Sequence, residues 1–534
     1  MMLRLLATIA FPALVAASAG SAVIPGWPAP KSFTSGGSSV AVNASNFEFS
    51  LSSSSGKPCG TLQRAFSRYQ GLTFPHRGVD ASAAAVIVGL DISVGDQDES
   101  HPQLSTDESY KLNVPDGKGA LRASLSAANI YGVLRGLETF SQLVTFDFDL
   151  KTYGIAAAPW TIDDAPRFPH RGLMIDTARH FETLASLRAL IDSLTYSKFN
   201  VLHWHMSDTQ SYPFESKTHP DLWKGSWSPQ ERYLQTDIAD TVEYARDRGV
   251  RVIVEFDMPG HAGSWCTGYP EICPSTTCTQ PLNVANEATF QLIEDVLGEC
   301  TGKKTSAKDA PSGLFPDDFI HLGGDEVDTS CWTKTASVND WLIKKNYTGD
   351  QAYAYFAKRV ADIAIAQGRR PVQWSEVYDH FKTELDKKTI VHIWKSVTNV
   401  TEVVANGYQV ILNVGYYANS WYLDNLNVNW TAVYANEPCT GVPDNLCPMI
   451  IGGHGEMWGE TVDKSDAEQT IWPKLAAIGE RLWSPRSYSD SAAALERIES
   501  FRCLLNRRGV AAAPVNNANA RSSPPGPGSC YEQR

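Results

Sequence analysis

From Gly172 onward the chain repeats one pattern: an apolar run of strand length, a polar step, then residues at helical spacing. The runs are GLMID (172–176), NVLHWHM (200–206), RVIVEFD (251–257), FIHLGG (319–324), PVQW (371–374), TIVHIW (389–394), QVILNV (409–414) and MIIGG (449–453). Between the first two, Leu184, Leu187, Leu190, Ile191 and Leu194 form a helical stripe, and a second stripe ends in YARDRG. Strands apolar along their whole length are buried on both faces. That requires parallel strands joined by helical crossovers that cover the sheet. Eight runs predict a (β/α)8 barrel over residues 166–534, although a doubly wound open sheet carries the same local pattern.

Residues 23–165 read differently. AAAVIVGLDISV (83–94) and SYKLNV (109–114) predict strands. Ile130, Val133, Leu134, Leu137 and Phe140 predict a helix, together giving a small α+β domain. The acidic, proline-containing TIDDAPRFPH (161–170) marks its boundary.

Polar residues follow the barrel runs in turn. Arg179 and His180 come after the first, Asp208 after the second, Asp257 and His261 after the third, and Asp325 with Glu326 after the fourth. Trp374, Trp394, Tyr422 and the Trp458-Gly459-Glu460 segment follow the others. At the carboxyl ends of barrel strands such residues converge on one site. The doublet in HLGGDEVDTSCW (321–332) poses a geometric problem, because consecutive strand residues point to opposite faces. Asp325 and Glu326 can serve one ligand only if the backbone turns, which Gly323 and Gly324 permit. Alone, the doublet reads as the acidic start of a helix; in company it belongs to a set.

The first 22 residues predict a signal peptide: Arg4, an apolar core from Leu5 to Val15 broken by Pro12, and small residues at Ala17-Ser18-Ala19 or Gly20-Ser21-Ala22. Four sequons, at Asn43, Asn346, Asn399 and Asn429, predict glycosylation in a secreted, lumenal or vacuolar protein. Ten cysteines suit disulfides, with Cys439–Cys447 and Cys503–Cys530 the preferred pairs. Cys273-x4-Cys278 has no second Cys or His pair at zinc-finger spacing. A net charge of −13 argues against a nucleic-acid partner, and no later stretch is apolar for long enough to cross a membrane.

Several stretches together resemble glycoside hydrolase family 20, the β-N-acetylhexosaminidases: HRGLMIDTARHF (170–181), KFNVLHWHMSD (198–208), VIVEFDMPGHAGSW (252–265), HLGGDEVDTSCW, WYLD (421–424) and MWGE (457–460). The resemblance implies an accessory α+β domain before a catalytic (β/α)8 barrel. It implies an exo-acting, retaining enzyme acting on carbohydrate with terminal β-linked N-acetylhexosamine, without cofactor or metal, and is compatible with a homodimer. Family 20 is a recognised exception to the scheme of an acid plus a carboxylate nucleophile, since its substrate's own 2-acetamido group attacks. By resemblance Glu326 is the general acid and base, and Asp325 orients and polarises the acetamido group. Arg179, Asp424 and Glu460 would bind sugar hydroxyls. Trp374, Trp394 and Trp458 would wall the acetamido pocket, and Tyr422 would donate to the acetamide oxygen. Asp208 and His261 would support the acid.

Two departures stand out. GGHGEMWGE (452–460) has His454, Gly455 and Glu456 where the family often shows Glu-Ala-Cys, and WYLD carries Asp424 where some members have Asn. Two other functions compete. His203 and His205, spaced i, i+2, could bind a metal with Asp325, although neither His is expected at the strand's mouth beside Asp208 and Arg179. A sugar-binding protein on a decayed barrel would not need Asp325, Glu326, Arg179 and Tyr422 all intact.

Overall fold

A computed structural model describes residues 23–52, 59–81, 83–302, 313–396, 398–413 and 421–515. The expected signal peptide and Cys530, hence the Cys503–Cys530 pair, lie outside them. Strands β1 (Ser32–Val42), β2 (Glu48–Ser52), β3 (Ala85–Asp96), β4 (Tyr110–Val114), β5 (Gly119–Asn129), β6 (Thr145–Asp147) and β7 (Thr152–Asp164) form one mixed sheet. The order is β1-β3-β5-β4-β7-β6, with β2 on β3 and β1 also paired to β7. The stripe Ile130, Val133, Leu134, Leu137 and Phe140 lies on helix Ile130–Leu143, buried in one core with Ile87, Leu90, Leu112 and Leu125. Asn129 caps that helix, its side-chain oxygen accepting the Tyr131 and Gly132 N–H groups at 2.9 and 3.2 Å.

The second unit is a closed barrel of eight parallel strands: β8 (His170–Asp176), β9 (Val201–Ser207), β10 (Arg251–Phe256), β11 (Phe319–His321), β12 (Arg370–Trp374), β13 (Ile390–Ile393), β14 (Gln409–Leu412) and β15 (Ile450–Met457). Pairing of β15 with β8, from Gly452 opposite His170 to Met457 opposite Ile175, closes the ring and rules out the open sheet. Closure leaves no unpaired edge. Helices cover the outside; the first, Leu184–Tyr196, buries Leu187, Leu190, Ile191 and Leu194 and is capped by the Thr183 hydroxyl.

Alternation along the strands layers the interior. Val201, Ile253, Phe319, Val372, Ile390, Ile411 and Ile451 form an apolar cluster. Two residues on from the first, second, third and fifth of these stand His203, Glu255, His321 and His392, all buried. The site is thus built above a polar layer of the core. Paired charges fix the junction with the first domain: Glu108 holds Arg135 and Arg171, each at 2.7 Å, and Asp164 holds Lys198 at 2.8 Å. Losing either carboxylate would strand buried cations.

Candidate active site

After β11 the chain turns sharply. Gly323 (φ +65°), Gly324 (φ +99°) and Glu326 (φ +49°) all have left-handed backbone. A Cβ on Gly323 would lie 1.8 Å from Asp257 Oδ1, and one on Gly324 2.7 Å from Val377 Cγ2. The Gly324 N–H donates to Asp257 Oδ1 at 2.9 Å, and the Tyr353 hydroxyl donates to the Gly324 carbonyl. The turn brings both carboxylates to one imidazole: His261 Nε2 lies 3.8 Å from Asp325 Oδ2 and 3.6 Å from Glu326 Oε2. The Asp325 side chain is buried, whereas that of Glu326 is 57% exposed. Asp325 Oδ1 is buried with no hydrogen-bond partner among the described residues.

Asp208 is the hub beside the doublet. It meets Arg179 Nη2 at 2.7 Å, His205 Nε2 at 3.2 Å and His261 Nδ1 at 3.3 Å. Burial alone would raise its pKa, but the hydrogen bonds from His205 and His261 and the charge of Arg179 hold it well below the usual carboxylate range. Burial would likewise lower the His261 pKa. The hydrogen bond to Asp208 and the neighbouring carboxylates outweigh it, and the pKa stands at about 10, so His261 is a cation at neutral pH. Asp257, buried below and facing Asp325, is pushed well above the usual carboxylate range by burial and by that like charge.

Arg179 Nη1 also bonds Asp176 at 2.7 Å, and its Nε donates to Gln210 at 3.2 Å. Of the five N–H groups a guanidinium carries, one on each Nη is left, with Glu460 3.6 Å away across Nη1. The guanidinium stands 5.0 Å from the Trp458 ring centroid. Trp374 and Trp458 have centroids 6.0 Å apart, and Trp394 meets Tyr422 edge-on at 6.4 Å. Buried carboxylates anchor two of the indoles: Trp374 donates to Glu255 and Trp394 to Glu376, both at 2.8 Å. Asp424 is half-buried, with Oδ1 unpartnered among the described residues; burial, then the charge of Glu460, pushes its pKa up to about 6. The arrangement sets an exposed and a buried carboxyl side by side, next to a cation and an aromatic wall.

A model described as the glycosyl hydrolase family 20 catalytic domain matches residues 168–486, and one described as beta-acetyl hexosaminidase like matches residues 26–143. The chain belongs to glycosyl hydrolase family 20. It is 42% identical to beta-hexosaminidase 1 of Arabidopsis thaliana over 527 residues, covering 95% of this chain and 94% of that one. It is 36% identical to the beta-hexosaminidase subunit beta of Homo sapiens over 538 residues, covering 96% and 94%. Its fold matches a chitobiase of Flavobacterium johnsoniae with TM-score 0.75 and 27% identity, over 91% of this chain and 73% of the other. As a family 20 member the chain is a glycoside hydrolase of the β-hexosaminidase kind.

Within this family 20 barrel, Arg179, Asp208, His261, Asp325, Glu326, Trp374, Trp394, Tyr422, Asp424, Trp458 and Glu460 all stand at or just beyond the carboxyl ends of the strands. One expectation fails: His205 does sit with Asp208 and, through it, with Arg179. It is two residues from the last position of β9, high enough in the barrel to reach that layer. Sequence reasoning passed over Asp176, Glu255 and Glu376. Asp176 carried the same strand-end signal, since it accepts the Ala178 and Arg179 N–H groups at 3.0 Å. Glu255 lay hidden inside an apolar run. Cys439–Cys447 is a disulfide as expected; Cys273 and Cys278 are taken by Cys266 and Cys331.

Proposed function

We propose that the chain is a secreted, exo-acting β-N-acetylhexosaminidase. It releases terminal GlcNAc or GalNAc from chitooligosaccharides or glycoconjugates, with retention, through the substrate's 2-acetamido group. Glu326 protonates the leaving oxygen while the acetamido oxygen attacks C1. Asp325 accepts the acetamido N–H and stabilises the cyclic cation. Water then opens the ring, and Glu326 takes its proton. The observation that carries this reading is the unpartnered, buried Asp325 Oδ1 beside a more exposed Glu326. A buried carboxylate oxygen without a donor calls for one, and an amide N–H of the substrate supplies it.

The remaining residues follow from the same chemistry. Burial pushes the Tyr422 phenol up, so it stays a donor for the acetamide oxygen. The two N–H groups left on Arg179, the unpartnered Asp424 Oδ1 and the exposed Glu460 suit hydroxyls of one terminal sugar. Export through an oxidising compartment is supported by residues 1–22, by three disulfides among the described residues and by the sequons. Asn346, Asn399 and Asn429 are exposed, and Asn43 is half-buried.

Glu326→Gln tests the assignment. It should cut turnover by about 10²–10⁴ on substrates whose leaving group needs a proton, and far less on activated aryl glycosides. Equal losses on both would remove Glu326 from the role of acid.

A further inference from the structure

The departure at His454 and Glu456 puts two unusual side chains deep in the barrel, below the doublet. Both are buried, as is His203 on β9. One donor atom from each of the three lies within 4.8 Å of the other two, with His454 Nδ1 3.7 Å from Glu456 Oε1. Both nitrogens of His203, Nδ1 of His454 and both carboxylate oxygens of Glu456 lack a hydrogen-bond partner among the described residues. Proximity to other polar groups does not cure this. His203 Nε2 is 2.8 Å from Glu255 Oε2 and His392 Nε2 is 3.0 Å from Glu456 Oε1, which still leaves His203 Nδ1, His454 Nδ1 and Glu456 Oε2 without a partner among the described residues. One buried polar atom on each of three convergent residues is thus unpaired, against the rule that buried polar groups are satisfied.

We propose that His203, His454 and Glu456 bind a divalent transition-metal ion of the zinc class. Two imidazoles and a carboxylate form a donor set suited to zinc and its first-row neighbours rather than to calcium or magnesium, which prefer oxygen. The outer contacts suit ligation too. His454 Nε2 is hydrogen-bonded to His170 Nε2, which leaves Nδ1 for the ion. A Cβ on Gly172 would fall 2.1 Å from His454 Cδ2, so glycine makes room for this ring. The Gly323 N–H donates to His321 Nδ1 at 3.1 Å, and His321 Nε2 in turn to His392 Nδ1 at 3.2 Å. The ion's role is structural: it ties β9 to β15 beneath Trp374, which stacks on His392 at 4.2 Å. The site is independent of the roles assigned to Asp325 and Glu326, and no step of the reaction passes through it.

Metal content of the full-length protein tests this. After refolding with zinc and gel filtration, mass spectrometry should find about one equivalent per chain, released on unfolding. His454→Gln and Glu456→Gln should each fall to background with circular dichroism unchanged. Refolding with Co²⁺ should give visible d–d absorption that His454→Gln lacks. Less than about 0.1 equivalent in refolded wild type, or equal content in wild type and folded variants, which means an adventitious surface ion only, would overturn the site. If the variants do not fold, wild type decides. Bound zinc with a raised Tm and a Co²⁺ spectrum of nitrogen ligation supports the site; an unmoved Tm without those bands overturns it. Hexosaminidase turnover is read separately, so metal-free but active protein counts against the ion alone.

Discussion

Asp208→Asn keeps the shape of the hub and removes its charge. In the wild type Asp208 meets three positively charged or proton-donating groups, and its side chain is 1% exposed. Removing one partner of a buried charge network costs about 3–5 kcal/mol. Part of that cost titrates. The His261 side chain is 19% exposed, and its pKa is raised from 6.5 to about 10. Such a shift is equivalent to about 5 kcal/mol summed over all causes, of which a charge-assisted hydrogen bond to Asp208 supplies about 1.5–3 kcal/mol. Because the folded pKa is raised, this stability is complete below pH 6.5 and is lost as pH climbs through about 10. Asp208 has the opposite sign: its folded pKa is depressed, so its contribution is present above 3.8 and is lost at lower pH. The penalty of Asp208→Asn should therefore be greatest between about pH 4 and 6.5 and should narrow by about 2 kcal/mol towards pH 10. Urea unfolding of both proteins at about pH 5.5, 7.5 and 9.5 measures it. A penalty that does not change with pH would refute the assignment of His261 as a cation held by Asp208.

Gly323→Ala should destabilise by more than the ~1 kcal/mol typical of an Ala at positive φ, because its Cβ would overlap Asp257 Oδ1; kcat should fall with it, and wild-type kcat in thermal and kinetic assays would show the turn to be dispensable. Chitin oligomers should yield single N-acetylhexosamine units from the first minutes. Early internal fragments on chromatography would contradict a pocket closed by Arg179, Asp424 and Glu460.

The fold class and the places of the candidate residues were both legible in the sequence. Each candidate followed a strand-length apolar run, so its position at the barrel mouth could be read from local pattern. Closure could not, because it depends on Gly452 meeting His170 across 282 residues of chain. Ser32–Val42 forms a strand although its serines and glycines have weak strand propensity; pairing with β7 overrides it there. FIHLGG proved shorter than its apolar run, a strand only over Phe319–His321, because the glycines that turn the doublet also end the ladder. The short Cys439–Cys447 loop was readable from spacing, whereas Cys278–Cys331, 53 residues apart, needed three dimensions. Glu255 escaped for a related reason: an inward-facing carboxylate in a barrel strand looks like an interruption until its histidine and tryptophan partners are seen.

The central claim is that the substrate, not the protein, supplies the nucleophile, with Asp325 as its partner. Wild-type turnover should be measured on a chromogenic β-N-acetylglucosaminide and on the matching β-glucoside, which has hydroxyl in place of acetamide. The account predicts rapid hydrolysis of the first and no detectable hydrolysis of the second even at saturating concentration, since the missing group forms the bond in the transition state. Turnover of the glucoside with only a raised KM, or a covalent sugar trapped on Asp325 or Glu326 during it, would contradict the account.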